Sequence, residues 1–82
     1  MDYDALIKRI AEQDMSALET LYRDLYTDVF AYLLSILRNA AAAQDLAQDT
    51  FLRVYKSAAG FHSRGQGRAW VLKIARNLAL NH

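Results

Sequence analysis

The sequence predicts an all-α domain of about four helices, and three observations predict it. Pro is absent and Gly occurs only at positions 60, 65 and 67, so the residues that break helices are confined to one short stretch. Apolar residues recur at three-to-four spacing through most of the chain, the period of one face of a helix. Hydrophobic residues make up 54% of the 82, enough for one core and too many for a disordered chain. A chain of this length is one small domain that buries roughly 60–65% of its unfolded surface.

The first helix is predicted over Tyr3–Glu12. Leu6, Ile7 and Ile10 form its apolar stripe, and acidic residues occupy its first turn, where the helix dipole favours them. The second is predicted over about Ala17–Arg38. Asp14 or Ser16 is its N-cap, and Ser16-Ala17-Leu18-Glu19 fits a capping box. Leu18, Leu21, Tyr22, Leu25, Val29, Leu33 and Ile36 form its stripe. Phe30, Tyr32, Leu34 and Leu37 widen that stripe, so the C-terminal end is expected to pack on several sides. Asn39 is the expected left-handed cap.

The third helix is predicted over about Ala42–Ala58, with Ala43, Ala47, Phe51, Val54 and Ala58 on its inner face. Asp45, Gln48, Asp49, Leu52 and Lys56 fall on a face rotated away from it. Gly60 is expected to end this helix, and residues 61–67 form a loop. The fourth helix begins near Arg68. Val71, Ile74, Ala75 and Leu78 face inward, and Ala69, Lys73, Arg76, Asn77 and Leu80 face outward. The chain stops at Leu80-Asn81-His82 without a terminating signal, and is expected to be an excised domain.

Charge is segregated along the chain. Residues 1–49 hold all nine acidic residues against four basic ones, a net of −5. Residues 50–82 hold six basic residues and no acidic one, a net of +6. Aromatic and glycine residues interleave with the cations from Phe61 to Trp70. That pattern predicts a polyanion at one end and a different partner at the other. The absence of Cys excludes disulfides and thiolate metal sites and fits a reducing cytoplasm, the expected location. The acidic N-terminus lacks the basic start of a signal peptide. No apolar run approaches ~18 residues, so no membrane span is expected.

Two constellations carry chemistry. Arg64, Arg68, Lys73 and Arg76 suit phosphate oxygens as charge-assisted donors. Gly65 and Gly67 allow positive φ or a close backbone approach. Phe61 and Trp70 offer faces for unstacked bases, although each taken alone is better explained as a core anchor. Asn77, one turn from Lys73, both donates to and accepts from a base edge. The second constellation is Asp45, Gln48, Asp49 and Leu52, at spacings that share one helix face. It would suit an Arg-rich partner helix, but by pattern alone a polar outer face with an incidental Leu explains it better. Catalysis finds no support. His62 and His82 stand apart, no Ser–His grouping occurs, and Asp45 with Asp49 supply too few oxygens for a hard metal ion. No cofactor is expected.

Three blocks nevertheless carry a resemblance. They are Leu21-Tyr22-Arg23-Asp24-Leu25-Tyr26, then Asp45-Leu46-Ala47-Gln48-Asp49-Thr50-Phe51-Leu52-Arg53-Val54-Tyr55, then Arg68-Ala69-Trp70-Val71-Leu72-Lys73-Ile74-Ala75-Arg76-Asn77-Leu78-Ala79. In this order and spacing, across about residues 14–82, the chain resembles region 2 of bacterial sigma factors of the sigma-70 family. The extracytoplasmic-function (ECF) group is the most similar.

The resemblance implies a non-enzymatic promoter-recognition domain that binds core RNA polymerase. Asp45, Gln48, Asp49 and Leu52 would dock on the coiled coil of the β′ clamp. The loop Phe61–Gly67 with Arg64, Gly65, Gly67, Arg68 and Trp70 would hold melted promoter DNA. Lys73, Arg76 and Asn77 would read the minus-ten element on the single-stranded non-template strand, with a base turned out beside the loop. Nothing resembles the family's second domain, the helix-turn-helix that reads the minus-thirty-five element. The turn Asn39–Gln44 is poorer in Gly and acids than is usual in the family, and Ala47 stands where a larger apolar residue is common. The alternative is a sigma-like interaction module that binds polymerase or an anti-sigma factor without reading DNA. In that case Arg64, Arg68, Lys73 and Arg76 would be dispensable.

Overall fold

A computed structural model describes residues 1–62 and 64–82 of the chain. Ser63, inside the predicted loop, lies outside the described residues. Four helices form: α1 (Tyr3–Ala11), α2 (Met15–Leu37), α3 (Ala40–Ser57) and α4 (Gly67–Leu80). A 3₁₀ turn over Ala58–Gly60 follows α3, and no strand occurs among the described residues. The radius of gyration is 12.0 Å, as expected for a compact chain of this length.

Most of the predicted inner faces become the core, but Leu18, Ile74 and Leu78 are only half-buried and Tyr22 is exposed. Leu6, Ile7, Ile10, Leu21, Leu25, Val29, Leu33, Ala43, Ala47, Phe51, Val54, Ala58, Val71 and Ala75 are all buried. Leu46 and Thr50, on the edge of the predicted outer face of α3, are buried as well. The Thr50 hydroxyl donates to the Leu46 carbonyl at 2.8 Å, which satisfies a buried polar group within the helix itself. α2 is the hub, packing on α1, α3 and α4. Its widened C-terminal stripe is only half-buried at Phe30, Tyr32, Leu34 and Leu37, and Ile36 is exposed.

One predicted cap is settled between its two candidates and two are reassigned. Asp14, not Ser16, caps α2. Its Oδ1 accepts the Ser16 and Ala17 amides at 3.0 and 3.3 Å and the Ser16 hydroxyl at 2.6 Å. Its Oδ2 faces the Arg9 guanidinium at 2.9 Å. The capping box does not form, because Ser16 serves Asp14 and Glu19 pairs with Arg23. At the other end Arg38, with φ 54°, takes the left-handed position and its amide donates to the Leu34 carbonyl at 2.8 Å. Asn39 is extended and caps α3, accepting the Ala42 amide at 2.9 Å. One side chain cannot be both left-handed stop and extended start, and Asn is among the strongest N-caps. Gly60 does not take a left-handed conformation; it ends the 3₁₀ turn instead.

Candidate functional site

The loop and the start of α4 are held from the opposite end of the chain. Asp4, in the first turn of α1 and only 8% exposed, points its carboxylate at the loop backbone. Oδ2 accepts the Arg64 and Gly65 amides at 2.9 and 2.6 Å. Oδ1 accepts the Gly67 amide at 2.7 Å. The two predicted glycine roles are both used here. Gly65 takes a φ of +73°, and a Cβ on Gly67 would stand 2.7 Å from Asp4 Oδ1 and 2.8 Å from Tyr3 Cβ. The close approach at Gly67 is therefore to α1, and Gly67 itself is buried.

Phe61 and Trp70 form the wall of a recess on the outer side of this loop. Their rings lie 5.0 Å apart, tilted at 54°, and both are half-buried against the core. Each is thus partly a core anchor and partly an open face. The recess has a volume of about 360 Å³ and is also lined by Gly60, Gln66, Ala69 and Lys73. His62, considered above only as a catalytic group, borders it too.

Of the predicted cations, Arg64, Lys73 and Arg76 are exposed. Arg68 is exposed as well, and is paired with Asp28 of α2 at 3.3 Å. Asn77 is exposed at the far side of α4. There it lines a groove of about 360 Å³ between α3 and α4 with Arg53, Ser57, Ile74 and Asn81. Arg53 has no sequence signal linking it to Asn77, since it lies twenty-four residues earlier on another helix. The basic face therefore runs from the recess at Lys73, past Arg76, to the groove at Asn77 and Arg53.

The second constellation is exposed on α3. Asp45, Gln48, Asp49 and Leu52 all face outward, with Leu52 58% exposed. Leu52 and Gln48 do not stand alone. They border a shallow, largely apolar groove of about 320 Å³ with Leu18, Tyr22 and Phe51. Tyr22 packs edge-on against Phe51 at 4.9 Å and lies tilted by 37° against Tyr26 at 5.1 Å. Burial beside Tyr22 raises the Tyr26 phenol above its ordinary pKa. The apolar half of this surface comes from α2, where a helical stripe reads only as core.

Among the described residues no group of side chains is suited to hold a metal ion, and no helix is long and apolar enough to cross a membrane.

The model of the Sigma-70 region 2 family matches residues 21–82. The chain is 30% identical over 81 residues to the ECF RNA polymerase sigma factor SigK of Mycobacterium sp. (strain KMS), covering 98% of this chain and 42% of that protein. It is equally similar to SigK of Mycobacterium bovis (strain BCG / Pasteur 1173P2) and of Mycobacterium tuberculosis (strain ATCC 25618 / H37Rv), each 30% identical over 81 residues and covered to 43%. The chain thus spans about two fifths of the length of the curated relatives it matches. No solved structure matches it significantly.

Proposed function

Because the chain belongs to the sigma-70 region 2 family, in its ECF group, we propose that it directs transcription initiation as a non-catalytic subunit of RNA polymerase. It binds the β′ clamp through α3 and captures the non-template strand of the minus-ten element through the loop and α4. An anti-sigma factor is a further partner for the exposed α3 surface.

The observation that carries the DNA reading is the recess beside Phe61 and Trp70. An aromatic wall next to an exposed cation suits one extruded base and its phosphate. Turning a base out costs a few kcal/mol, and a site that binds the flipped base offsets that cost. Arg64, Lys73 and Arg76 hold the strand, Asn77 reads a base edge, and Gly65 and Gly67 shape the loop. Arg68 contributes once DNA competes with Asp28 for its guanidinium.

On the partner side, Asp45 and Asp49 supply charge and Gln48 hydrogen bonding. Leu52 and Tyr22 supply apolar area to bury. Interfaces of this kind combine an apolar centre with a polar rim.

The test is binding of the chain to single-stranded and duplex minus-ten DNA across a salt series. Stronger binding to the single strand, falling steeply with salt, is expected. Equal affinity for both forms at every salt concentration would exclude strand capture, and no binding to either form would favour the interaction-module alternative.

A further inference from the structure

We propose that Asp4 is a positioning residue for base recognition: it holds the backbone on both sides of Gln66 and so sets the shape of the recess. The proposal rests on the DNA reading above. Asp4 lies outside the residues matched by the family model, on a helix that contributes no side chain to the recess.

The geometry is that of a clamp. Gly65 and Gly67 flank Gln66, and their amides donate to opposite carboxylate oxygens of Asp4, Oδ2 and Oδ1 respectively. Gln66 lines the recess, and its carbonyl accepts the Trp70 amide at 2.9 Å. Fixing residues 65 and 67 therefore fixes the lip of the recess and the first turn of α4, on which Trp70 stands.

Charge-assisted bonds from three amides to one nearly buried carboxylate are strong. The Arg64 and Gly65 amides converge on one oxygen of Asp4, with Gly65 at a positive φ, the form of a small anion-binding concavity. Asp4 fills that concavity from within, so a DNA phosphate finds no vacancy at this helix terminus. Phosphate contact is left to side chains, and the backbone is left to shape. A preorganised site discriminates between ligands better than one that must be ordered on binding.

The experiment compares wild type, D4A and D4N. Each is titrated with the single-stranded oligonucleotide that the wild-type chain selects from a randomised pool, and with oligo(dT) of the same length. Binding is read from the fluorescence of Trp70, the only Trp in the chain. Amide hydrogen exchange of Arg64, Gly65 and Gly67 is measured in parallel, with pull-down of core polymerase as a check on the fold.

Loss of hydrogen bonds to a charged group predicts that D4A reduces discrimination between the two oligonucleotides about tenfold, with oligo(dT) affinity within about twofold of wild type. D4N is isosteric, but its amide nitrogen cannot accept, so it falls between the two. Exchange of the three amides should speed up about tenfold while that of core amides such as Val29 and Val54 is unchanged.

Undiminished discrimination in both variants, or unchanged exchange, would overturn the proposal. A parallel loss of both oligonucleotides and of polymerase would assign Asp4 to folding alone and also overturn it. Should D4A not fold, D4N decides by the same readings. A wild-type chain that shows no preference between the oligonucleotides would overturn the DNA reading, and this role with it.

Discussion

The Gly67 amide donates to Asp4 Oδ1 at 2.7 Å, and the site of a Gly67 Cβ lies 2.7 Å from that same oxygen. Helix α4 can begin there only because the residue has no side chain. The three glycines are consequently unequal. Gly67→Ala forces α1 and the loop apart and should lower stability by about 1–3 kcal/mol, the usual range for overpacking. Gly65→Ala places a Cβ at φ +73° and should cost about 1–2 kcal/mol. Gly60→Ala meets nothing within 4 Å and has no positive φ, so urea denaturation should find it within about 0.5 kcal/mol of wild type. Equal losses at all three positions would contradict this order.

Arg76 and Asn77 are neighbours on α4 with different expected roles. Arg76→Ala should weaken single-strand binding across all sequences and flatten the salt dependence by about 0.7 in slope, the share of one phosphate contact. Asn77→Ala should blur preference at one base, by about 1–3 kcal/mol, with little change in that slope. Binding isotherms on a small set of single-base variants separate the two effects. The reverse pattern would exchange the roles.

On α3, Asp49→Arg should abolish pull-down of core polymerase while the circular dichroism spectrum is unchanged, since Asp49 is exposed. Tyr22→Ala and Leu52→Ala should each weaken the same binding by about 1–2 kcal/mol, as expected for apolar residues near the centre of an interface. An effect of Leu52→Ala without one of Tyr22→Ala would confine the interface to α3.

The Asp14 cap has a pH signature. Hydrogen bonds from Ser16 and Arg9 hold its carboxyl below the ordinary 3.8, at about 2. The folded pKa is lower than the unfolded one, so its stabilisation is fully present above about pH 4 and is lost as pH falls toward 2. Thermal melts between pH 5 and pH 2 should therefore show a Tm that falls more steeply with falling pH in wild type than in Asp14→Asn. Parallel pH profiles for the two proteins would remove Asp14 from the acid response.

Most of the fold was legible in the sequence because helix periodicity is local. Leu6, Ile7 and Ile10, or Val71 and Ala75, declare their inner face by spacing alone, and packing then agrees with them. The caps were less legible. Asp14 and Ser16 compete for one helix start, and Asn39 suits both a stop and a start. The neighbours decide: Arg9 draws Asp14 into the cap, and the two-residue link between α2 and α3 puts Arg38 in the left-handed position. The outer face of α3 was readable, but its companion groove was not, because Leu18 and Tyr22 obey the same stripe as core residues. Their partial exposure depends on how far α3 covers α2.

The charge boundary near residue 50 shows the same division. By itself the sequence determined that acids and cations separate, that the cations cluster on the loop and α4, and which faces of four helices turn inward. These properties follow from residue type and from neighbours within a turn or two. The tertiary structure alone decided which opposite charges meet. It pairs Arg68 with Asp28 across 40 residues and brings Arg53 to the groove of Asn77. It also closes Asp4 over Arg64, Gly65 and Gly67 across 60 to 63 residues. Such contacts depend on where the packing of α1 and α4 on α2 places their ends. A carboxylate in a first turn reads the same from sequence whether it faces water or clamps a loop.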